Sequence, residues 1–418
     1  MIAPKPSVLG LRKSFGYGDS LGLAGPGHIA SSEKFDFAPI FAQQSVHDLN
    51  RTKRNPLDVI KAAQEALTKA KHSEPWGADA DHLKTREDVF LAASAGYTYF
   101  TIDSSLYINN AAGQMTELDL KNEISSQVLN GIYGGEQLDS LYLGKTVIVE
   151  GTGTLTFDAE SLYRAAAKYG RAICNFESMA DHIAEAMDSR DYEIEVSIDE
   201  TESPTSALEH LFIALELERR GVKIVSLAPH FTGEFEKGID FRGNMELFES
   251  TLAKHVGIAK SFGPYKLSIH SGSEKFAVYP IIGRVCGDLL HVKTAGTSYL
   301  EALRVVCQKN QNLFLEIACY SAGRFPIDIA DYHISTTEDD IRKLGHEQIG
   351  DIEDIYFNQD VGRQMLYITF GAVLTMGESM SGQPFREAII EILQSNPDLY
   401  QDVLETRFTK YLKALCQG

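Results

Sequence analysis

Short apolar runs alternate with longer amphipathic stretches through the middle of the chain. Runs at 39–43, 78–82, 97–103, 146–150, 193–198, 223–228, 265–270 and 289–293 have the length of β-strands. Stretches with helical spacing lie between several of them. In 56–70, Val59, Ile60, Ala63, Ala66 and Leu67 share one helix face. Segments 158–187 and 205–220 read the same way. Ser203-Pro204-Thr205 predicts the cap and first turn of the latter, and Gly221 its stop. Strands alternating with helices predict a parallel sheet. Eight such units predict a closed (β/α)₈ barrel of the TIM type, an α/β fold, rather than an open doubly wound sheet. Segment 104–145 is too long for a simple crossover and predicts an inserted segment or lid. Beyond about 331 the pattern is helical, at 336–344, 364–376 and 384–394. The predicted division is therefore a catalytic barrel over 1–330 and a C-terminal helical appendage over 331–418. The barrel carries the insertion and an N-terminal loop region, 1–37, ahead of its first strand.

Composition narrows the class. A chain of 418 residues that is 44% hydrophobic can bury a large core. No apolar run reaches the ~18 residues of a membrane span, and the N-terminus lacks a signal-peptide h-region. Five cysteines without a C-x-x-C pair predict a reduced, cytoplasmic protein. A formal charge of -19 argues against nucleic acid as a partner. The glycine-rich loop Gly16–His28 lacks both the P-loop signature and the dinucleotide spacing. No nucleotide is expected, and the loop is read as shaping the mouth or an interface.

Candidate chemistry gathers at the predicted strand ends: Asp81 and His82, Asp103, Glu150, Asp199 and Glu200, His230, His270 and Lys293. In such barrels the strand C-termini form the catalytic mouth. Asp81 and His82 are neighbours, so both can face the mouth only where the strand gives way to loop. Neutral imidazoles suit zinc and related ions, and three protein ligands leave room for substrate. His82, His230 and His270 are the candidate ligands, with His291 and His333 as alternatives to His230. Glu200 or its neighbour Asp199 is a candidate second acid/base or metal carboxylate. Lys293, inside the last strand, must pair with a carboxylate of the protein or of the substrate.

Several strings together resemble the tagaturonate epimerase family: Phe15–Asp19, Gly25–His28, Phe41–Ser45, Gly77–Thr85, Phe100–Asp103, Ser197–Thr201, Gly233–Asp240, Ser268–Ser273 and Leu290–Thr297. The resemblance implies a metal-dependent isomerase of carbohydrate metabolism that interconverts D-tagaturonate and D-fructuronate. These hexuronates differ at a hydroxyl carbon one bond beyond the carbon next to the ketone. Enolisation cannot reach that carbon, so a retro-aldol/aldol inversion is expected. Asp81 would move the hydroxyl proton and one divalent ion (zinc, manganese, cobalt, nickel or iron) would act as Lewis acid. Gln44, Asp103 and Lys293 are candidate substrate contacts, and Lys293, Lys84 and Lys237 are candidate partners for the substrate carboxylate. A class II-type sugar aldolase, an epimerase of a neutral ketose, and a non-catalytic sugar-binding barrel are the alternatives. The expected partner is a small keto sugar acid; a homo-oligomer is left open.

Overall fold

The computed structural model describes residues 3–344 and 351–418. Eight parallel strands close into a barrel. In chain order they are Ser14–Tyr17 (β1), Ala38–Ser45 (β2), Gly77–Leu83 (β3) and Tyr99–Asp103 (β4), then Glu193–Ile198 (β7), Ser226–Pro229 (β8), Lys266–Ile269 (β9) and Leu290–Thr294 (β10). Between β4 and β7, Thr146–Val149 (β5) and Gly153–Thr156 (β6) form an antiparallel hairpin of their own. The strand order around the barrel is β1-β10-β9-β8-β7-β4-β3-β2, which puts β3 directly across from β9.

The (β/α)₈ reading holds, with one exchange of members. The run at 146–150 belongs to the hairpin, and Glu150 is not at a barrel strand end; it is exposed and pairs with Lys260 at 3.5 Å. The eighth barrel strand is β1, inside the region read as preceding the first strand. It joins β10 to β2 and closes the ring.

The glycines around β1 have a packing role. A Cβ at Gly16 would lie 3.0 Å from Gln43 Oε1, and one at Gly27 2.4 Å from the Leu404 Cβ. The loop thus lets Gly25–Ser32 sit closely on the C-terminal helix Pro397–Leu415. Asp19 stabilises the turn by accepting from the backbone N–H of Leu21, Gly22 and Ala24 at 3.1, 2.7 and 2.9 Å.

Caps explain the helix bounds. Pro56–Ala70 starts where expected because Asn55 and Asp58 form a capping box. The helix expected from Thr205 starts at Ala207, because Ser206 and Glu209 form the box instead of Ser203. The segment between β4 and the long helix Ala159–Met187 holds two short 3₁₀ turns, helices Glu117–Leu129 and Leu138–Tyr142, and the hairpin.

The strands alternate in an unusual sense. Their apolar residues (Ile194, Val196 and Ile198 on β7, Leu290 and Val292 on β10) join the core shared with the surrounding helices. The barrel interior is instead strongly polar: Asp79 and Asp81, Tyr99 and Thr101, Glu193 and Glu195, Lys266 and Ser268, His291 and Lys293 are all buried. Burial of charge is costly unless each group finds partners, so the interior network dictates what the mouth can be.

Candidate active site

Lys293 is the hub of that network. Its Nζ lies 2.9 Å from Asp79 Oδ2, 2.7 Å from Asp81 Oδ1, 2.8 Å from Glu195 Oε1 and 2.6 Å from Thr101 Oγ1. Thr101 donates in turn to Asp79 at 2.9 Å. Burial opposes the charge on Lys293, but the three carboxylates more than reverse this and hold its pKa well above the ordinary value. Of the two partnerships open to Lys293, the structure supplies the protein's own carboxylates. Deeper still, His291 accepts or donates to Ser14 Oγ at 2.9 Å and packs beside Tyr99, away from the mouth.

One layer above, the chain brings Asp81 and His82 to the same side. A regular pleat would send them to opposite faces. His82 adopts a left-handed φ of 56°, and the β3–β4 pairing shifts between Ala80 and Leu83. Such a conformation costs a non-glycine residue about 1–3 kcal/mol, and here it turns the imidazole to within 3.8 Å of Asp81 Oδ1 and 3.2 Å of Asp103 Oδ2. From the opposite strand, the His270 ring approaches His82 with centroids 5.0 Å apart. His270 Nε2 is 2.8 Å from Glu195 Oε1. Its Nδ1 lies 3.1 Å from Asp199 Oδ2 but makes no hydrogen bond, although buried.

The ligand atoms of His82, Asp199 and His270 all fall within 4.8 Å of one another. The ligand atoms of a second group, His82, Asp103 and Glu200, also lie within 4.8 Å of one another. Two imidazoles and a carboxylate with an unsatisfied buried nitrogen are a donor set that fits a divalent ion. Charge tunes the imidazoles: burial lowers them, but Asp81 and its neighbours hold His82 up to about 10, and Asp199 holds His270 up to about 9. Burial raises Asp81 and Asp199, but Lys293 with His82, and His270 with His82, keep them well below the ordinary carboxylate range. Burial likewise opposes the ionised form of Asp103, yet the His82 hydrogen bond and Lys84 bring it to about 2.

These groups open onto a cavity of about 650 Å³ lined by His82, Asp199, Glu200, His230, Lys237 and His270, among others. That volume is in the range of small-molecule sites. His230 lines it without joining the ligand trio; its Nδ1 donates to the Thr201 carbonyl at 2.8 Å. His333 also lines it, and is 94% exposed beside Glu234. Glu200 is half exposed, 3.8 Å from Lys84 Nζ, and Lys84 lies 3.1 Å from Asp103. Gln44 faces a different cavity, with Leu49 and Tyr97 behind the barrel wall. Its neighbour Gln43 is the glutamine that donates to Asp81, at 3.2 Å, past a pairing shift between Ile40 and Ala42.

Sequence reasoning did not single out Asp79, Thr101, Glu195, Gln43 or Asp48. For the first three the signal was present: polar residues recur at every second position in 79–81, 99–103 and 193–197. Asp48 is half-buried near the mouth, where burial raises its carboxyl to about 6, against the pull of Lys237 and with the help of Asp81.

Fold and site together define a (β/α)₈-barrel enzyme with a cluster of histidines and carboxylates gathered at the strand C-termini. The tagaturonate epimerase family model matches residues 1–415. The tagaturonate/fructuronate epimerase of Thermotoga maritima is 39% identical over 411 residues, spanning 98% of this chain and 82% of its own. The glycerol-bound crystal structure of the fructuronate-tagaturonate epimerase from Cohnella laeviribosi superposes with a TM-score of 0.91 at 37% identity, over 99% of this chain and 83% of the other. The native structure of the Cohnella enzyme gives 0.89 at the same identity and coverage. This chain belongs to the tagaturonate epimerase family.

Proposed function

We propose that this protein interconverts D-fructuronate and D-tagaturonate by breaking and remaking one C–C bond, with a divalent ion held by His82, Asp199 and His270. The observation that carries the reading is the convergence of these three residues beside Asp81 at the mouth of a sugar-sized cavity. The donor set suits zinc, manganese, cobalt, nickel or iron.

In these ketouronates the ketone is C2, the inverted carbon C4 and the carboxylate C6. When bound, the ion polarises the ketone and neighbouring hydroxyl oxygens, acidifying the hydroxyl and steadying charge as the bond breaks. Asp81, held ionised by Lys293, accepts the C4 hydroxyl proton as the C3–C4 electron pair moves toward C2. The C4 aldehyde turns over, C3 attacks its other face, and the new C4 oxygen takes a proton back. Glu200 serves as the second acid/base for that oxygen. Asp103 and Gln43 fix His82 and Asp81, so the proton-moving carboxylate keeps its aim.

Asp81→Asn tests the role. It keeps the ligand trio, so metal content should stay at the wild-type level while turnover falls about 10²–10⁴-fold, the size of a general acid–base contribution. Wild-type turnover in that variant, at equal metal content, sinks the assignment.

A further inference from the structure

The retro-aldol route, on which this inference rests, sets a particular problem. Cleavage at C3–C4 leaves the carboxylate on the half that must turn over, OHC–CHOH–COO⁻. That half has to rotate without leaving. An anchor on its carboxylate solves both requirements, because the aldehyde end can swing while the far end stays fixed.

Among the described residues, one cation is available for this task. Lys293 is spent on three buried carboxylates, and Lys84 on Asp103 and Glu200. Among the described residues, Lys237 is the only lysine or arginine in the lining of the cavity. Its ammonium forms no hydrogen bond and no salt bridge among the described residues; Asp48 is a carboxylate within its electrostatic reach.

The backbone that carries Lys237 is held in an uncommon way. Four successive carbonyls each accept a hydrogen bond from a buried side chain. Lys275 Nζ donates to Glu236 O at 2.8 Å and also to Ile239 O. Gln364 Nε2 donates to Lys237 O at 3.3 Å, and Arg363 Nε to Gly238 O at 2.7 Å. Gln364 also grips the Glu236 carboxylate at 2.8 Å, and Ser335 N does so at 2.6 Å. Burial of a lysine and an arginine is costly, and here both spend donors on main-chain carbonyls of one short loop, Arg363 also bonding the Phe357 carbonyl and pairing with Glu274, and Lys275 also bonding the Ser273 carbonyl. The left-handed Gly238, with φ 77°, packs against Tyr367 of the same helix as Arg363 and Gln364, Asp360–Ile368. The C-terminal helices thereby fix the peptide while leaving the lysine side chain unpaired over the cavity.

We infer that Lys237 binds the substrate carboxylate and acts as the pivot that retains the aldehyde half during inversion, with Lys275, Arg363 and Gln364 as positioning residues. A free C6 carboxylate met by a charge-assisted contact in a partly enclosed site is a strong handle. Retention matters because escape completes an aldol cleavage: C3 gains a solvent proton, giving dihydroxyacetone, and 2-hydroxy-3-oxopropanoate departs.

The test compares wild type, Lys237→Met and Lys237→Arg with D-fructuronate, following products by NMR. Lys237→Met should raise KM about 10–100-fold and release the two fragments alongside residual epimer; Lys237→Arg should restore retention. Separately, calorimetry with D-gluconate and sorbitol reads the carboxylate without any turnover. Wild type should prefer the acid at least tenfold, Lys237→Met should lose that preference, and Lys237→Arg should regain it. An unchanged preference in Lys237→Met, or none in wild type, overturns the inference. A wild-type protein that prefers the acid yet converts no ketouronate would reject the proposed activity and keep the anchor.

Discussion

Lysine 293 provides the sharpest test of how the interior sustains the mouth. Its ammonium is shared by Asp79, Asp81 and Glu195, all within 2.9 Å. Lys293→Met keeps the length and apolar bulk of the side chain but leaves three buried carboxylates facing one another. Removing one partner of a buried pair costs about 3–5 kcal/mol. At roughly 2.1 cal/mol/K of unfolding entropy per residue, 418 residues give about 0.9 kcal/mol/K, so Tm should fall by about 3–6 °C. Adding Glu195→Gln removes one negative charge without changing shape. The double variant should therefore recover about half of the loss, although Glu195→Gln alone destabilises by breaking a pair. Calorimetric Tm values of the four proteins, at one pH and ionic strength, give the coupling. A Lys293→Met protein within 1 °C of wild type, or a double variant less stable than Lys293→Met, would refute the charge-balance argument.

Three other outcomes follow from the same electrostatics. His82 near 10 and His270 near 9 are both protonated at pH 7.5 in the metal-free protein, so binding an ion should release about two protons; calorimetry in buffers of different ionisation enthalpy counts them, and release near zero would contradict ligation by this pair. Because both imidazoles are raised, their stabilisation of the metal-free fold is complete below pH 6.5 and disappears as pH climbs through 9–10. Asp48 acts in the same direction over a lower window: with its carboxyl raised to about 6, stability is complete below the ordinary Asp value and is lost as pH rises through about 6. Asp48→Asn should gain about 1 kcal/mol at pH 8, after allowance for its partial exposure, and about half of that at pH 5. Equal gains at the two pH values, by urea unfolding, would count against that environment.

The barrel was legible because alternation of strand and helix survives even when one member is misread. Ser14–Tyr17 was passed over since Ser-Phe-Gly-Tyr has no β-branched residue and lies among glycines; its strand geometry comes from pairing with β10 and β2. The run at 146–150 has Thr, Val, Ile and Val, the right composition for a strand, but Ile148 is 82% exposed in a hairpin. Propensity identifies a strand without saying which sheet receives it. The histidines His82 and His270 were legible from strand ends, and the geometry joins them across the barrel. Asp199 was legible as a possible metal carboxylate, but its place in the close trio instead of His230 was not, because that depends on how the loops after β7 and β8 turn. The clamp on Lys237 was hidden for a related reason: Lys275, Arg363 and Gln364 are far apart in sequence and meet only after the C-terminal helices pack.

The proposed reaction is metal-dependent inversion without loss of fragments. The direct measurement is an NMR time course of the purified, chelated protein with D-fructuronate, repeated after each divalent ion is restored. Metal-dependent inversion requires no conversion after chelation, and growth of D-tagaturonate with no free aldehyde once a suitable ion returns. Full conversion by the chelated protein would contradict it, as would metal-dependent formation of dihydroxyacetone and 2-hydroxy-3-oxopropanoate in place of the epimer.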